Sequence, residues 1–266
     1  MSAHGIDTIY SLRRFYILMC RTFPSEPGEP SEPVEPAESV APFGYVAHFH
    51  EAFPLCYTKN ESTRKAEALM HWDTDDIHTI HCFGDSLTAG YGAAPGAGWV
   101  EVVAKRHPKV EWYNHGQCGA LTEDILDALE GAAALAGTGE GFFFMGGTND
   151  ILCGFRLSSL EGRLTERLPS ISGKVPLTIG IPPLATKESI WSGWQSEAVY
   201  ERNQLDLAAY GNFLRELAKE SNVCLIDFSH AFPLEDAWYY DGLHPNEKGY
   251  ERFADMAEAA WRIKER

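Results

Sequence analysis

Ile77-His78-Thr79-Ile80-His81-Cys82-Phe83 runs straight into Gly84-Asp85-Ser86-Leu87. A short apolar-rich run that stops at a glycine turn reads as a strand. From here toward the C-terminus the same pattern repeats, with short apolar runs alternating with longer amphipathic stretches, which is how a parallel sheet covered by helices is written. The pattern predicts strands over 77–83, 110–113, 141–145, 177–181 and 223–228, and helices over 99–106, 121–135, 159–168 and 198–219. The fold class expected is α/β, a three-layer α/β/α sandwich around a five-stranded parallel sheet. Pro182-Pro183 closes the fourth strand, because proline cannot extend a ladder.

Upstream of this stretch the chain changes character. Six of the fifteen prolines fall in residues 24–42, where Glu26-Pro27, Glu29-Pro30, Glu32-Pro33 and Glu35-Pro36 recur every three residues. Mutually repelling glutamates and φ-locked prolines leave almost nothing to bury, so this segment reads as an extended tether. Residues 43–69 show no sustained period, and His48 and His50 within them read as incidental rather than as metal ligands. The expected organisation is therefore a poorly structured extension over 1–69 and a folded domain over 70–266, with Met70 just ahead of the first strand.

Composition narrows the function classes. The 266 residues, 44% of them hydrophobic, suffice for one substantial core. A formal charge of -16 excludes a sequence-independent grip on nucleic acid or anionic lipid, which needs a basic face. The six cysteines are scattered and form no CxxC pair, so neither a zinc site nor a disulfide framework is indicated. Phe15–Cys20 after Arg13-Arg14 falls short of a signal-peptide core and lacks a small-residue cleavage site. A cytoplasmic location is the expectation, with secretion as the alternative; no stable membrane insertion is expected, and the oligomeric state stays open.

In an open parallel sheet, ligands bind outside the carboxyl ends of the strands, and four motifs fall there. Ser86 follows the first predicted strand, Asn114 and Gly119 the second, Asn149 the third, and Asp241 with His244 the fifth. A serine hydroxyl needs an adjacent base to become a nucleophile, and an imidazole fills that role near neutral pH. His244 supplies it. Asp241, three residues earlier, is placed to hold the imidazole in the tautomer whose Nε2 faces Ser86.

Phe83-Gly84-Asp85-Ser86-Leu87-Thr88-Ala89-Gly90, Asn114 with Gly119 five residues on, Gly146-Gly147-Thr148-Asn149-Asp150, and Asp241-Gly242-Leu243-His244-Pro245 together resemble the GDSL, or SGNH, hydrolase family, including its compact bacterial esterase, thioesterase and lysophospholipase members. The resemblance implies a flavodoxin-like fold and a Ser86–His244–Asp241 triad. It also implies an oxyanion hole from the backbone N–H groups of Ser86 and Gly119 and the Asn149 amide, with Asp85 and Asp150 as bracing acceptors. No metal or organic cofactor is required by that chemistry.

The activity expected is ester hydrolysis through an acyl-enzyme on a small-molecule ester: short acyl or aryl esters, lysophospholipids, acyl thioesters or acetylated sugars. The alternatives are acyl transfer and a non-catalytic carbohydrate- or lipid-binding module on the same fold. Specificity must come from the loops, the longest being 183–196, whose Trp191 and Trp194 either wall a pocket or pack the loop back on the domain. Tyr91, Phe155 and Trp238 are further candidates for the mouth. His115 reads as a surface histidine or a substrate contact, and Cys118 as a loop residue, not a nucleophile.

Overall fold

A computed structural model of the protein describes residues 77–261. The expected extension over 1–69, with its proline-rich tether and with His48 and His50, lies outside the described residues.

Five strands form one all-parallel sheet: β1 (Thr79–Gly84), β2 (Glu111–Gly116), β3 (Glu140–Met145), β4 (Leu177–Ile181) and β5 (Cys224–Asp227), in the order β2-β1-β3-β4-β5. The helices between them are α1 (Ser86–Ala89), α2 (Trp99–Arg106), α3 (Thr122–Ala133), α4 (Thr148–Leu152), α5 (Leu157–Ser172), α6 (Glu188–Trp191), α7 (Glu197–Glu220), α8 (Phe228–Ala231) and α9 (Glu247–Trp261).

The central strand shows why the sheet needs cover on both sides. Phe142, Phe143, Phe144 and Met145 are all buried, and alternate residues point to opposite faces. Phe142 and Phe144 join Phe83, Ile179 and Ile181 in a core with Leu126 and Leu129 of α3, Leu164 and Leu168 of α5, and Leu207 and Leu214 of α7. Phe143 and Met145 join Ile80, Cys82 and Ile226 in a second core with Trp99 and Val103 of α2 and Phe253 and Trp261 of α9. Edge strand β2 is covered on one face only: Trp112 packs on Trp261 at 5.5 Å, while Glu111, Tyr113 and His115 on the other face are exposed. Among the described residues no helix is long and apolar enough to cross a membrane.

The structure departs from the sequence reading chiefly in three places. β2 continues through Asn114-His115-Gly116, so Asn114 lies in the strand rather than after it. Its amide donates to the Thr88 carbonyl (3.0 Å) and to Glu101 (2.8 Å), and its Oδ1 accepts from Gly116 N–H (3.0 Å), which locks the strand end to the Ser86 segment. α5 runs past Pro169 to Ser172: proline forfeits one backbone hydrogen bond, and burial of Leu168 and Ile171 holds the last turn in place. The C-terminal helix α9 was not anticipated, although Tyr250, Phe253, Ala254, Ala257 and Trp261 recur at helical spacing and Asn246 Oδ1 accepts Gly249 N–H (3.0 Å) at its start.

Candidate active site

β1 ends at Gly84, and Asp85 then caps α1 by accepting the Leu87 N–H at 2.9 Å. Ser86 is thus the first residue of a helical turn, with its backbone N–H among those that a helix start leaves without an intrahelical acceptor. The His244 loop comes from the far end of the chain. It closes on itself through a Tyr239–Pro245 bridge and a Tyr240 N–H to His244 carbonyl bond of 2.7 Å.

These two segments bring Ser86 Oγ to 2.9 Å from His244 Nε2. On the other side of the ring, His244 Nδ1 lies 3.0 Å from Asp241 Oδ2 and 3.1 Å from Oδ1. Exposure is only 8% for Ser86, 4% for Asp241 and 2% for His244, so these contacts act largely shielded from water, where charge interactions are strongest. Burial alone would push the Asp241 carboxyl up. The His244 ring and its charge, the His244 N–H and the Trp194 indole outweigh that and hold it below its usual value. Asp241 is therefore ionised at neutral pH.

The other predicted donors sit on neighbouring turns. Gly119 has φ +82°, a conformation only glycine adopts freely, in the turn after β2. Asn149 lies in α4 after β3, and its Nδ2 donates to the Ala120 carbonyl at 2.9 Å, which fixes the amide beside the Gly119 turn. Asp150 ties the same two segments: its Oδ2 accepts the Thr122 N–H at 2.9 Å and the Thr122 hydroxyl at 2.8 Å. Burial raises the Asp150 carboxyl against those two donors.

Burial likewise pushes Asp85 up to about 7; the Leu87 N–H opposes the rise and the Asp150 charge adds to it. Between about pH 4, where the unfolded carboxyl titrates, and about pH 7 the folded chain therefore holds the extra proton. Stability contributed by this group falls as pH rises through that window and is level above it. Asp85→Asn keeps an acceptor for Leu87 but cannot ionise. Its melting temperature should accordingly gain on wild type from pH 4.5 to 7.5, by an amount equivalent to at most roughly 4 kcal/mol. Parallel melting curves against pH for the two proteins would show Asp85 to be ionised throughout.

Of the other residues singled out in the sequence, Tyr91 and Trp194 reach the site. Their rings flank His244, with centroids at 4.5 Å and 4.7 Å, and the Trp194 indole N–H donates to Asp241 Oδ2 at 2.7 Å. That hydrogen bond was not legible in the sequence, where the partners stand 47 positions apart. Trp238 packs on Phe232 under Lys248 instead. Trp191 and Phe155 are exposed, and Cys118 is exposed in the turn before Gly119. His115 is exposed and its Nε2 lies 3.0 Å from His81 Nδ1. Among the described residues no three His, Cys, Asp or Glu side chains gather as metal ligands would.

The model of the GDSL-like lipase/acylhydrolase family matches residues 82–252. A crystal structure of a member of the lipolytic G-D-S-L family from Veillonella parvula DSM 2008 superposes with TM-score 0.60 at 27% identity, covering 70% of this chain and 99% of its own. The lipase/acylhydrolase from Enterococcus faecalis gives 0.55 at 25% identity, with 71% and 99% covered. The fold is shared as well by the psychrotrophic esterase EstA from Pseudoalteromonas sp., in a form inhibited by monoethylphosphonate, at 0.54 and 19% identity, with 70% and 97% covered. No curated protein sequence matches the chain.

Proposed function

The chain belongs to the GDSL-like lipase/acylhydrolase family, and on that premise we propose that it hydrolyses small carboxylic esters through an acyl-enzyme formed on Ser86. The observation that carries this reading is the buried line of contacts from Ser86 Oγ through the His244 ring to Asp241. His244 Nε2 takes the hydroxyl proton as Oγ attacks the ester carbonyl, while Asp241 holds Nδ1–H and balances the imidazolium charge. The oxygen of the tetrahedral intermediate receives the N–H groups of Ser86 and Gly119 and the Asn149 amide. Collapse breaks the bond to the alcohol oxygen, which leaves with the proton from His244. Water, deprotonated by the same ring, then releases the acid.

The leaving alcohol must pass His244, and the groups flanking that ring are Tyr91 and Trp194, with half-exposed Tyr240 edge-on to Tyr91 at 6.3 Å. Aromatic faces suit aryl or sugar alcohols bearing short acyl groups. A net charge of -16 disfavours strongly anionic esters.

A monoethylphosphonate ester should label the folded protein once, on the peptide containing Ser86, and hydrolysis of p-nitrophenyl esters should be fastest at acetate to butyrate. Folded protein that neither labels nor turns over any ester from acetate to palmitate, a lysophospholipid or an acyl-CoA would overturn the reading. Asn149→Ala should lower kcat on the order of 10² to 10³ with little change in KM. A near-wild-type rate in that variant would remove Asn149 from the oxyanion hole.

A further inference from the structure

His244 Nδ1–H lies between the two Asp241 oxygens, 3.0 Å from Oδ2 and 3.1 Å from Oδ1, and the Trp194 indole N–H takes Oδ2 at 2.7 Å, so the tryptophan competes with the histidine for that oxygen. The segment that carries Trp194 is built to hold it still. Ser189 Oγ donates to the Thr186 carbonyl (2.6 Å), Gln195 Nε2 to Ser189 Oγ (2.8 Å), and Asn203 Nδ2 to Gln195 Oε1 (2.9 Å), all among buried side chains. The backbone N–H of Trp194 donates to the Ser189 carbonyl at 3.0 Å. The segment is also fastened to the His244 loop, because Thr186 N–H donates to the Gly242 carbonyl at 2.8 Å. At Gly242, with φ +79°, a Cβ would stand 2.1 Å from the Ser189 nitrogen, so the two segments fit only with glycine there. A buried chain of hydrogen bonds of this kind fixes one geometry.

We infer that Trp194 is a positioning residue, which sets the orientation of the Asp241 carboxylate and weakens its hold on the His244 imidazolium, leaving the ring a readier proton donor to the departing alcohol. This rests on the ester-hydrolase reading of the Ser86 site. A second donor draws charge from Oδ2, so its removal concentrates that charge on Nδ1–H and stabilises the protonated ring. Tyr91 from the turn after α1, Tyr250 from α9 and Asp85 beside Ser86 are the other titratable groups near the pair; the phenols do not change charge in the acid range, and Asp85 titrates in wild type and variant alike, so the shift is read as the difference between the two profiles.

Trp194→Phe keeps an aromatic ring and loses the donor; Trp194→His keeps an N–H on a smaller ring. The phenylalanine variant should lower kcat about tenfold with KM within about twofold, a loss the size of one hydrogen bond to a charged group. The acid limb of its kcat/KM profile should move up by about half a pH unit, and the histidine variant should recover part of both effects. An unchanged acid limb in Trp194→Phe, or a histidine variant no better than phenylalanine, would reduce Trp194 to packing. If Trp194→Phe does not fold, wild type and Asp241→Asn still decide. One of the seven indole N–H resonances should shift upfield when the carboxylate becomes an amide, and seven unshifted ones would overturn the inference. Ser86→Ala in the same assays separates the two levels: if it retains the activity, the reading of the site fails, and if it is inactive while Trp194→Phe matches wild type, only the role of Trp194 fails.

Discussion

Replacing Ser86 with alanine is expected to cut kcat by about 10⁶, the loss found when the nucleophile of a serine hydrolase is removed while binding is kept. The substitution removes the one atom that the mechanism makes covalent. It leaves the backbone of α1 intact, since Asp85 rather than Ser86 supplies the cap. Its thermal midpoint should stay near wild type and phosphonate labelling should disappear. Steady-state hydrolysis of p-nitrophenyl acetate by the two proteins is the check, and a variant retaining more than about one part in 10³ of the rate would mean that another group attacks.

Asp241→Asn should cost about 10⁴ in kcat with the fold retained. The carboxylate accepts the Leu243 N–H (3.2 Å) and the His244 N–H (2.9 Å) on Oδ1 and the Trp194 indole on Oδ2, and His244 Nδ1 reaches both oxygens, slightly nearer Oδ2. An asparagine has one oxygen for these four donors. Kept on the backbone N–H groups, that oxygen leaves the amide NH₂ facing Nδ1, which must then accept; the ring proton moves to Nε2, where it can no longer receive the Ser86 proton. Rates of ester hydrolysis and of phosphonate labelling should fall together. A loss of less than about 10² would make Asp241 a loop brace and not the partner of a reacting ring.

The sheet and the rim were legible because both are local signals. The short Phe142–Met145 run, bounded by glycines, reads as a strand buried on both faces, and glycine turns mark where β1 and β3 deliver Ser86 and Asn149. Asp241 and His244 sit on one loop, so their pairing could be read from a spacing of three. Trp194 could be placed near the rim but not against Asp241, because that contact depends on how the segment over 183–196 folds on itself through Ser189, Gln195 and Asn203, a long-range matter. Asn114 was misplaced for the opposite reason: polar residues usually end a strand, and here the amide finds its partners on Thr88 and Glu101 across the helix layer. The periodicity of α9 is present in the sequence, in the apolar spacing of Tyr250, Phe253, Ala254, Ala257 and Trp261 just after the Asp241–Pro245 motif.

Ser86 and His244 meet across 158 positions of chain, and the loop that carries His244 stands between edge strand β5 and helix α9. A ribosome delivers Ser86 well before His244. The proposed hydrolysis therefore reports on folding: a chain that stops short of His244 presents Ser86 at the rim without its base, and acylation of Ser86 waits until the loop between β5 and α9 has docked.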